Sequence, residues 1–298
     1  MKLAALALLC CALAPPAWPE GDAGHPVAMW RADGATNTVY VLGSIHLLRA
    51  EDHPLPRIID VAYADAEVLV MELDMDDLDA LSTQAAFNRA GVLRDGTTLR
   101  DLMGDERYVT AEETATQLDI PLDMLDSSEP WLAAITVELM ILYRSGFDPR
   151  FGIEMTMTER ATSDGKPIEG LESVDEQLSF LDGLSLDAQA EMLLQILEQG
   201  AGLRDSIDAM IDAWRHGDMA VLERELLESM EEQTELGDAL IWNRNRRWAD
   251  TIVTWLDDDR DYLVIVGALH LVGDGGVPAL LDARGVDIRQ LRESPELR

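Results

Sequence analysis

Cysteine is almost missing from this 298-residue chain: the two present, Cys10 and Cys11, stand side by side near its start. Lysine is nearly as scarce, with only Lys2 and Lys166, and histidine occurs five times, at positions 25, 46, 53, 216 and 270. Each shortage excludes something. Beyond residue 11 there is no thiol, hence no disulfide framework and no cysteine nucleophile. No basic run appears, and 57 acidic against 23 basic residues give a formal net charge of −34. Such a chain repels phosphate backbones and anionic lipid, so nucleic-acid binding is discarded. No repeat, linker or low-complexity segment interrupts it. Apolar residues are plentiful instead: at 47% of 298 residues they can bury a full core, as one large domain or a domain with an inserted subdomain.

The first stretch, "MKLAALALLCCALAPPAWPEG", has one basic residue, an apolar run from Leu3 to Ala14, and Ala12-Leu13-Ala14 in A-x-A spacing before a proline-rich exit. These are the parts of a cleaved secretory signal, expected over residues 1–20, with the mature domain over 21–298. The run is too short for a membrane-spanning helix. Leu9 before Cys10 is not the small residue that a lipidation site wants. The expected location is therefore periplasmic or secreted, with no stable membrane insertion after cleavage, and both cysteines leave with the signal.

Along the rest, "MWRADGATNTVYVLGSIH" reads as a hairpin turning near Asp33-Gly34, with Val39 to Ile45 a buried strand. "LPRIIDVAYADA" is a helix begun at a proline, and "EVLVMELD" a second apolar strand. Residues 77 to 163 read as helices with one short strand, "IPLDML". "GKPIEGLES" is another strand, ending at Glu172. From Val174 to Leu256 apolar residues such as Leu203, Ile207, Met210, Ile211 and Trp214 recur at helical spacing. A strand over Tyr262 to Val266, a helix over "VPALLDARG" and a strand "VDIRQL" close the chain. The pattern predicts an α/β fold: a mixed β-sheet flanked by helices, with a mostly helical insertion or cap over about 174–256.

Two segments are written almost alike, "TVYVLGSIHLL" and "YLVIVGALHLV": an apolar strand, a glycine, two residues and a histidine. A glycine after a buried strand permits a sharp exit, and His46 and His270 then stand at carboxyl ends of strands, where open α/β sheets place ligands. A histidine after a strand often only caps a loop or bonds a carbonyl, but two of five in one pattern favour a shared site. Two imidazoles and one carboxylate, with open positions for water or substrate, make a common catalytic metal site. Glu72, at the end of "VLVME", supplies the carboxylate; buried without a metal or an arginine it would be costly. Glu172 ends "PIEGLE" in the same way. In "ALIWNRNRRWADTIVTWL" the apolar face is Ile241, Trp242, Trp248, Ile252, Val253, Trp255 and Leu256. Arg244 and Asn245 lie on or beside it, whereas Arg246 and Arg247 point elsewhere and Arg246 can pair with Asp250. A partly buried Arg244 neutralises Glu172 or Glu72, binds a substrate carboxylate, or steadies an oxyanion. His25, His53 and His216 sit in polar surroundings and are left as surface residues. The acidic runs "DMDDLD" and "LDDDRD" lack the form of a calcium loop, "GDGG" has no phosphate-loop continuation, and Ser44, Ser127 and Ser128 are in no nucleophile elbow.

"VYVLGSIHLL", "VLVMELD", "GIEMTMTERATSDGKPIEGLESVDEQ", "NRNRRWADTI" and "YLVIVGALHLVGDGGVPALLDARGVDI" together resemble the TraB/GumN family, whose animal relatives are the Tiki proteins. The resemblance covers nearly the whole mature chain, with Ser44 where many relatives have threonine. It implies a metal-dependent hydrolase, a peptidase, with His46, Glu72 and His270 around one divalent ion (manganese, cobalt or zinc) and Glu172 and Arg244 as further site residues. Glu172 would act as general base if it faces the metal-activated water, and Arg244 would hold substrate charge. The expected partner is a peptide or other small secreted substrate. The alternative is a non-catalytic periplasmic protein that binds a peptide or a haem-like ligand in the same cleft.

Overall fold

Three runs that bury almost every side chain, "TVYVLGS", "VLVMEL" and "YLVIVG", make the middle of the sheet, because only strands covered by helices on both faces can do so. The computed structural model describes residues 26–232 and 234–292. The expected signal segment and His25 lie outside the described residues. The strands are β1 (Pro26–Asp33), β2 (Thr38–Ser44), β3 (Val68–Leu73), β4 (Ile168–Glu172), β5 (Tyr262–Gly267) and β6 (Ile288–Arg292). They lie in the order β4-β3-β5-β2-β1-β6. Strands β4, β3, β5 and β2 are parallel, while β1 pairs antiparallel with both β2 and β6. This is the expected mixed sheet of an α/β fold.

The helices are α1 (Arg57–Asp65), α2 (Ala80–Gly91), α3 (Leu99–Met103), α4 (Asp105–Gln117), α5 (Pro130–Arg144), α6 (Ile153–Asp164), α7 (Val174–Asp182), α8 (Leu186–Gln199), α9 (Leu203–His216), α10 (Met219–Glu232), α11 (Thr234–Gly237), α12 (Asn243–Trp255) and α13 (Val277–Ala283). Alternation along the strands sorts them into layers. One face of the sheet, with Tyr40, Leu42, Leu69, Met71, Leu263 and Ile265, packs on α1, α6, α9 and α10. The other, with Val39, Val41, Val68, Val70, Val264 and Val266, packs on α12 and α13. A further helical core joins α3, α4 and α5 to α8 around Leu99, Met103, Val137 and Leu193. The helical part thus draws on residues before β4 as well as on 174–256.

One element differs from its sequence pattern. "IPLDML" is a 3-10 turn over Leu122–Leu125 and not a strand. Ile120 and Leu122 bury into the helical core while Met124 is 75% exposed, so the segment caps helices and has no strand to pair with. Among the described residues, no helix is long and apolar enough to cross a membrane.

What positions the site is the place of β5. It inserts between β2 and β3, with Ser44 opposite Gly267 and Met71 opposite Ile265. Chain positions near 46, 72, 172 and 270 therefore meet at the carboxyl edge of four adjacent parallel strands.

Candidate active site

The two G-x-x-H segments pack on each other, and each glycine makes room for the other segment. A Cβ on Gly43 would stand 3.2 Å from Ala268 Cα, inside the second motif. A Cβ on Gly267 would stand 3.3 Å from His46 Nε2, 3.3 Å from Glu72 Oε1 and 3.6 Å from His270 Cδ2. The glycine repeat thus leaves a notch that a methyl group would fill, with two imidazoles and one carboxylate around it.

His46 leaves β2 with its ring 58% exposed and donates from Nδ1 to Glu154 Oε1 at 2.8 Å. The Ser44 hydroxyl donates to the same Glu154 oxygen. Glu154 lies in the first turn of α6, where the helix dipole favours a carboxylate. That turn sits close to the strand exit: Ile153 N–H donates to Ile45 O at 3.2 Å, and a Cβ on Gly152 would collide with the His46 carbonyl oxygen. The Glu154 carboxylate holds the His46 imidazolium above the ordinary histidine value, an attraction that water screens at so exposed a ring.

His270 is the opposite case, buried to 4% exposure and packed on Trp248 with ring centroids 4.4 Å apart. Asn245 Nδ2 donates to Gly275 O at 2.8 Å, so its Oδ1 is the atom 2.6 Å from His270 Nδ1 and accepts a hydrogen bond from the Nδ1–H. That bond fixes the tautomer with hydrogen on Nδ1 and a lone pair on Nε2. Burial pushes the imidazole down to about 3, with Glu72 only partly offsetting it.

Arg244 ties the carboxylates together. Its Nη2 donates to Glu72 Oε2 at 2.6 Å and lies 2.8 Å from Glu172 Oε2, and its Nε is 3.0 Å from Glu172 Oε2. Its Nη1 donates to Leu240 O at 2.8 Å and lies 3.3 Å from His270 Nε2. Leu240 belongs to a π-helical turn, Asp238–Trp242, that runs straight into α12. The guanidinium stacks over Trp248 at 4.6 Å. Glu72 Oε1 accepts the Gly267 N–H at 2.7 Å. Burial pushes the Glu72 carboxyl up, but His270, Arg244 and His46 together hold it down at about 2.

All five residues singled out in the sequence, His46, Glu72, Glu172, Arg244 and His270, are brought together. Glu172, however, does not face open space. Its side chain is 1% exposed, and its oxygens take bonds from Arg244, from Arg247 Nη2 at 2.8 Å and from Gln177 Nε2 at 3.4 Å. The condition for a general base is unmet here, and the residue's place is to hold Arg244. Arg247, expected to point away, turns back to Glu172 although it is half exposed. Arg246 donates to Asn243 Oδ1, while Asp250 pairs with Arg284, just past the end of α13, at 2.7 Å. His53 bonds Phe151 O at 2.8 Å, and neither it nor His216 joins the site.

Sequence reasoning missed Glu154, Gln177 and Arg247, and gave Asn245 no part. A glycine one position before a helix and an acid in its first turn, "GIE", is the one local signal that could have pointed to Glu154. On α5, Glu138 is a further carboxyl close to His46, pushed up by burial and pulled down by that ring.

The donor chemistry suits a divalent cation: His46 Nε2 and Glu72 Oε1 border the Gly267 notch and the His270 ring edge, at Cδ2, stands beside them, and imidazole and carboxylate are both common ligands of such ions. His270 Nε2 and Glu72 Oε1 are 3.8 Å apart. Among the described residues, no group of three or more His, Cys, Asp and Glu stands in metal-holding geometry. The physical reason at this site is Arg244, which takes Glu72 Oε2 and faces the His270 lone pair.

Known proteins align with this arrangement over most of its length. The chain is 22% identical to YbaP of Escherichia coli, described as uncharacterized, over 81% of this chain and 87% of that protein. The same figures hold for YbaP of Shigella flexneri. It is 24% identical to a "Metalloprotease TIKI homolog" of Nematostella vectensis, over 88% of this chain and 66% of that protein. No solved structure matches. The model of the TraB/PrgY/gumN family matches residues 28–290, from β1 to β6 and through both G-x-x-H segments, and the chain belongs to that family.

Proposed function

We propose that this protein is an exported metal-dependent hydrolase acting on peptide or related acyl bonds, with His46, Glu72 and His270 holding one divalent ion, manganese, cobalt or zinc. The observation that carries the reading is the meeting of His46 Nε2 and Glu72 Oε1 at the Gly267 notch, beside a His270 whose tautomer bares Nε2. Membership of a family with a metalloprotease-named relative supports the reaction class. Such an ion supplies Lewis acidity and a water made acidic enough to attack at neutral pH.

The chain's own groups do the rest. Asn245 keeps the His270 proton on Nδ1. Glu72 stays ionised, with Oε1 turned to the notch and Oε2 held by Arg244. Arg244 would give up its contact with His270 Nε2 while keeping its bonds to Glu172 and Leu240 O. Glu172 orients Arg244, and Arg247, half exposed beside it, offers a cation to an acidic or carboxylate group of the substrate.

A second reading is favoured by one feature: Arg244 and Arg247 balance Glu72 and Glu172 charge for charge, so the cluster needs no ion. On that reading the cleft binds a peptide or haem-like ligand without turning it over. A peptide library incubated with the purified mature protein separates the two. Hydrolysis at substoichiometric protein, stopped by chelator and restored by added ion, supports the enzyme; saturation at one ligand per chain without products supports the binder. Export has its own test. The protein recovered from a periplasmic fraction should begin between Pro15 and Gly24, and intact Met1 in a cytosolic fraction would contradict it.

A further inference from the structure

We propose that Glu154 is the positioning residue of His46, and that Ser44 anchors it. The inference rests on the metal reading above and deepens it: one carboxylate oxygen, itself fixed, decides which ring nitrogen of the exposed histidine faces the notch.

Three observations carry this. First, Glu154 Oε1 accepts from both His46 Nδ1 and the Ser44 hydroxyl, two groups at the end of one strand. In the neutral ring a proton on Nδ1 leaves Nε2 with its lone pair, and Nε2 is the atom at the Gly267 notch. Second, Glu154 Oε2 is buried with no hydrogen-bond partner. A carboxylate kept solely for stability would bond both its oxygens, since an unpartnered buried acceptor costs free energy. Third, the approach of α6 is built for this contact: only a glycine at 152 lets the helix start against the His46 carbonyl oxygen, and two residues later the carboxylate reaches the ring.

His46 and His270 then have matching outer partners, a carboxylate for the exposed ring and an amide for the buried one. The difference follows from exposure. A ring more than half in water samples both tautomers and several orientations unless a charged acceptor holds it, whereas the buried ring is already fixed by packing.

The test uses the mature protein stripped of metal, with histidine 15N shifts recorded at a pH above the ring's own midpoint. The His46 signal is assigned by its loss in His46→Asn. In the parent protein His46 should be the Nδ1–H tautomer; in Glu154→Leu it should shift to mostly Nε2–H, and divalent manganese should bind 10- to 100-fold more weakly. Glu154→Gln keeps an accepting oxygen but not the charge, so it should hold the tautomer and lose affinity measurably, by about three- to tenfold. Ser44→Ala should fall between. If Glu154→Leu does not fold, Glu154→Gln and Ser44→Ala decide: unchanged manganese affinity in both overturns the proposal. In a folded Glu154→Leu, a His46 ring still in the Nδ1–H form overturns it as well. Should the parent protein bind no ion, the metal reading fails by itself, and the tautomer comparison alone judges Glu154.

Discussion

Gly267, the last residue of β5, faces His46, two residues past the end of β2: a Cβ on the glycine would stand 3.3 Å from the imidazole Nε2 and equally far from Glu72 Oε1. The backbone there has φ −50° and ψ 138°, which any residue adopts, so the glycine is needed for space and not for conformation. Gly267→Ala should therefore fold, with a melting temperature close to that of the parent. Its methyl group fills the notch, and ion affinity or peptide hydrolysis should fall at least tenfold. Melting curves beside binding isotherms check this; an alanine protein that binds and cleaves as the parent does would mean that the notch is not the site.

Arg244 should prove the keystone of the carboxylates. Arg244→Ala leaves Glu72 without its main partner and Glu172 with one half-exposed arginine, at a cost of about 3 to 5 kcal/mol in unfolding free energy. Arg244→Lys should recover only part of this, because one ammonium cannot hold two carboxylates and the Leu240 carbonyl in the planar arrangement of a guanidinium. Denaturant titration of the three proteins measures it. An Arg244→Ala protein as stable as the parent would mean that the carboxylates find other partners.

These two residues mark what could be read in the chain. Gly267 and His270 carry a local signature, an apolar strand ending in glycine, and the same signature at Gly43 and His46 marks the two segments as a pair, which the fold packs against each other. Arg244 was legible because helical spacing put it beside Trp248 on the apolar face. Glu154 was not, since its meaning lies in a contact with a strand more than a hundred residues earlier. Arg247 was misplaced for a related reason: helical spacing puts it on the exposed face, and only its long side chain reaches back to Glu172. The expected Arg246 and Asp250 pair fails because Arg284, remote in sequence, reaches Asp250. The interleaving of β5 between β2 and β3, which makes the site, has no sequence signal, because strand order is decided by packing.

Acid should weaken the metal-free protein in two steps of known sign. The His270 imidazole is held down at about 3, so the unfolded chain takes its proton near 6.5 and the folded one does not; stability falls as pH drops from about 6.5 toward 3. Glu72, held at about 2, contributes stability above its unfolded value of 4.5 and loses it as pH falls from there to about 2. Between about 4.5 and 6.5 the first step acts without the second. His270→Gln should flatten the loss of melting temperature in that window relative to the parent. Equal slopes in the two proteins would show that the ring is not held neutral in the fold.

The most direct test of the account is metal analysis of the purified mature protein beside His46→Ala and His270→Ala. The parent, equilibrated with micromolar manganese, cobalt or zinc near neutral pH and freed of excess, should carry one ion per chain. Each single variant should carry essentially none, and the double variant should be little worse than either, because ligands of one site act as a unit. A parent protein that retains none of these ions, or single variants that retain a full equivalent, would contradict the shared metal site and leave the cleft to a binding protein.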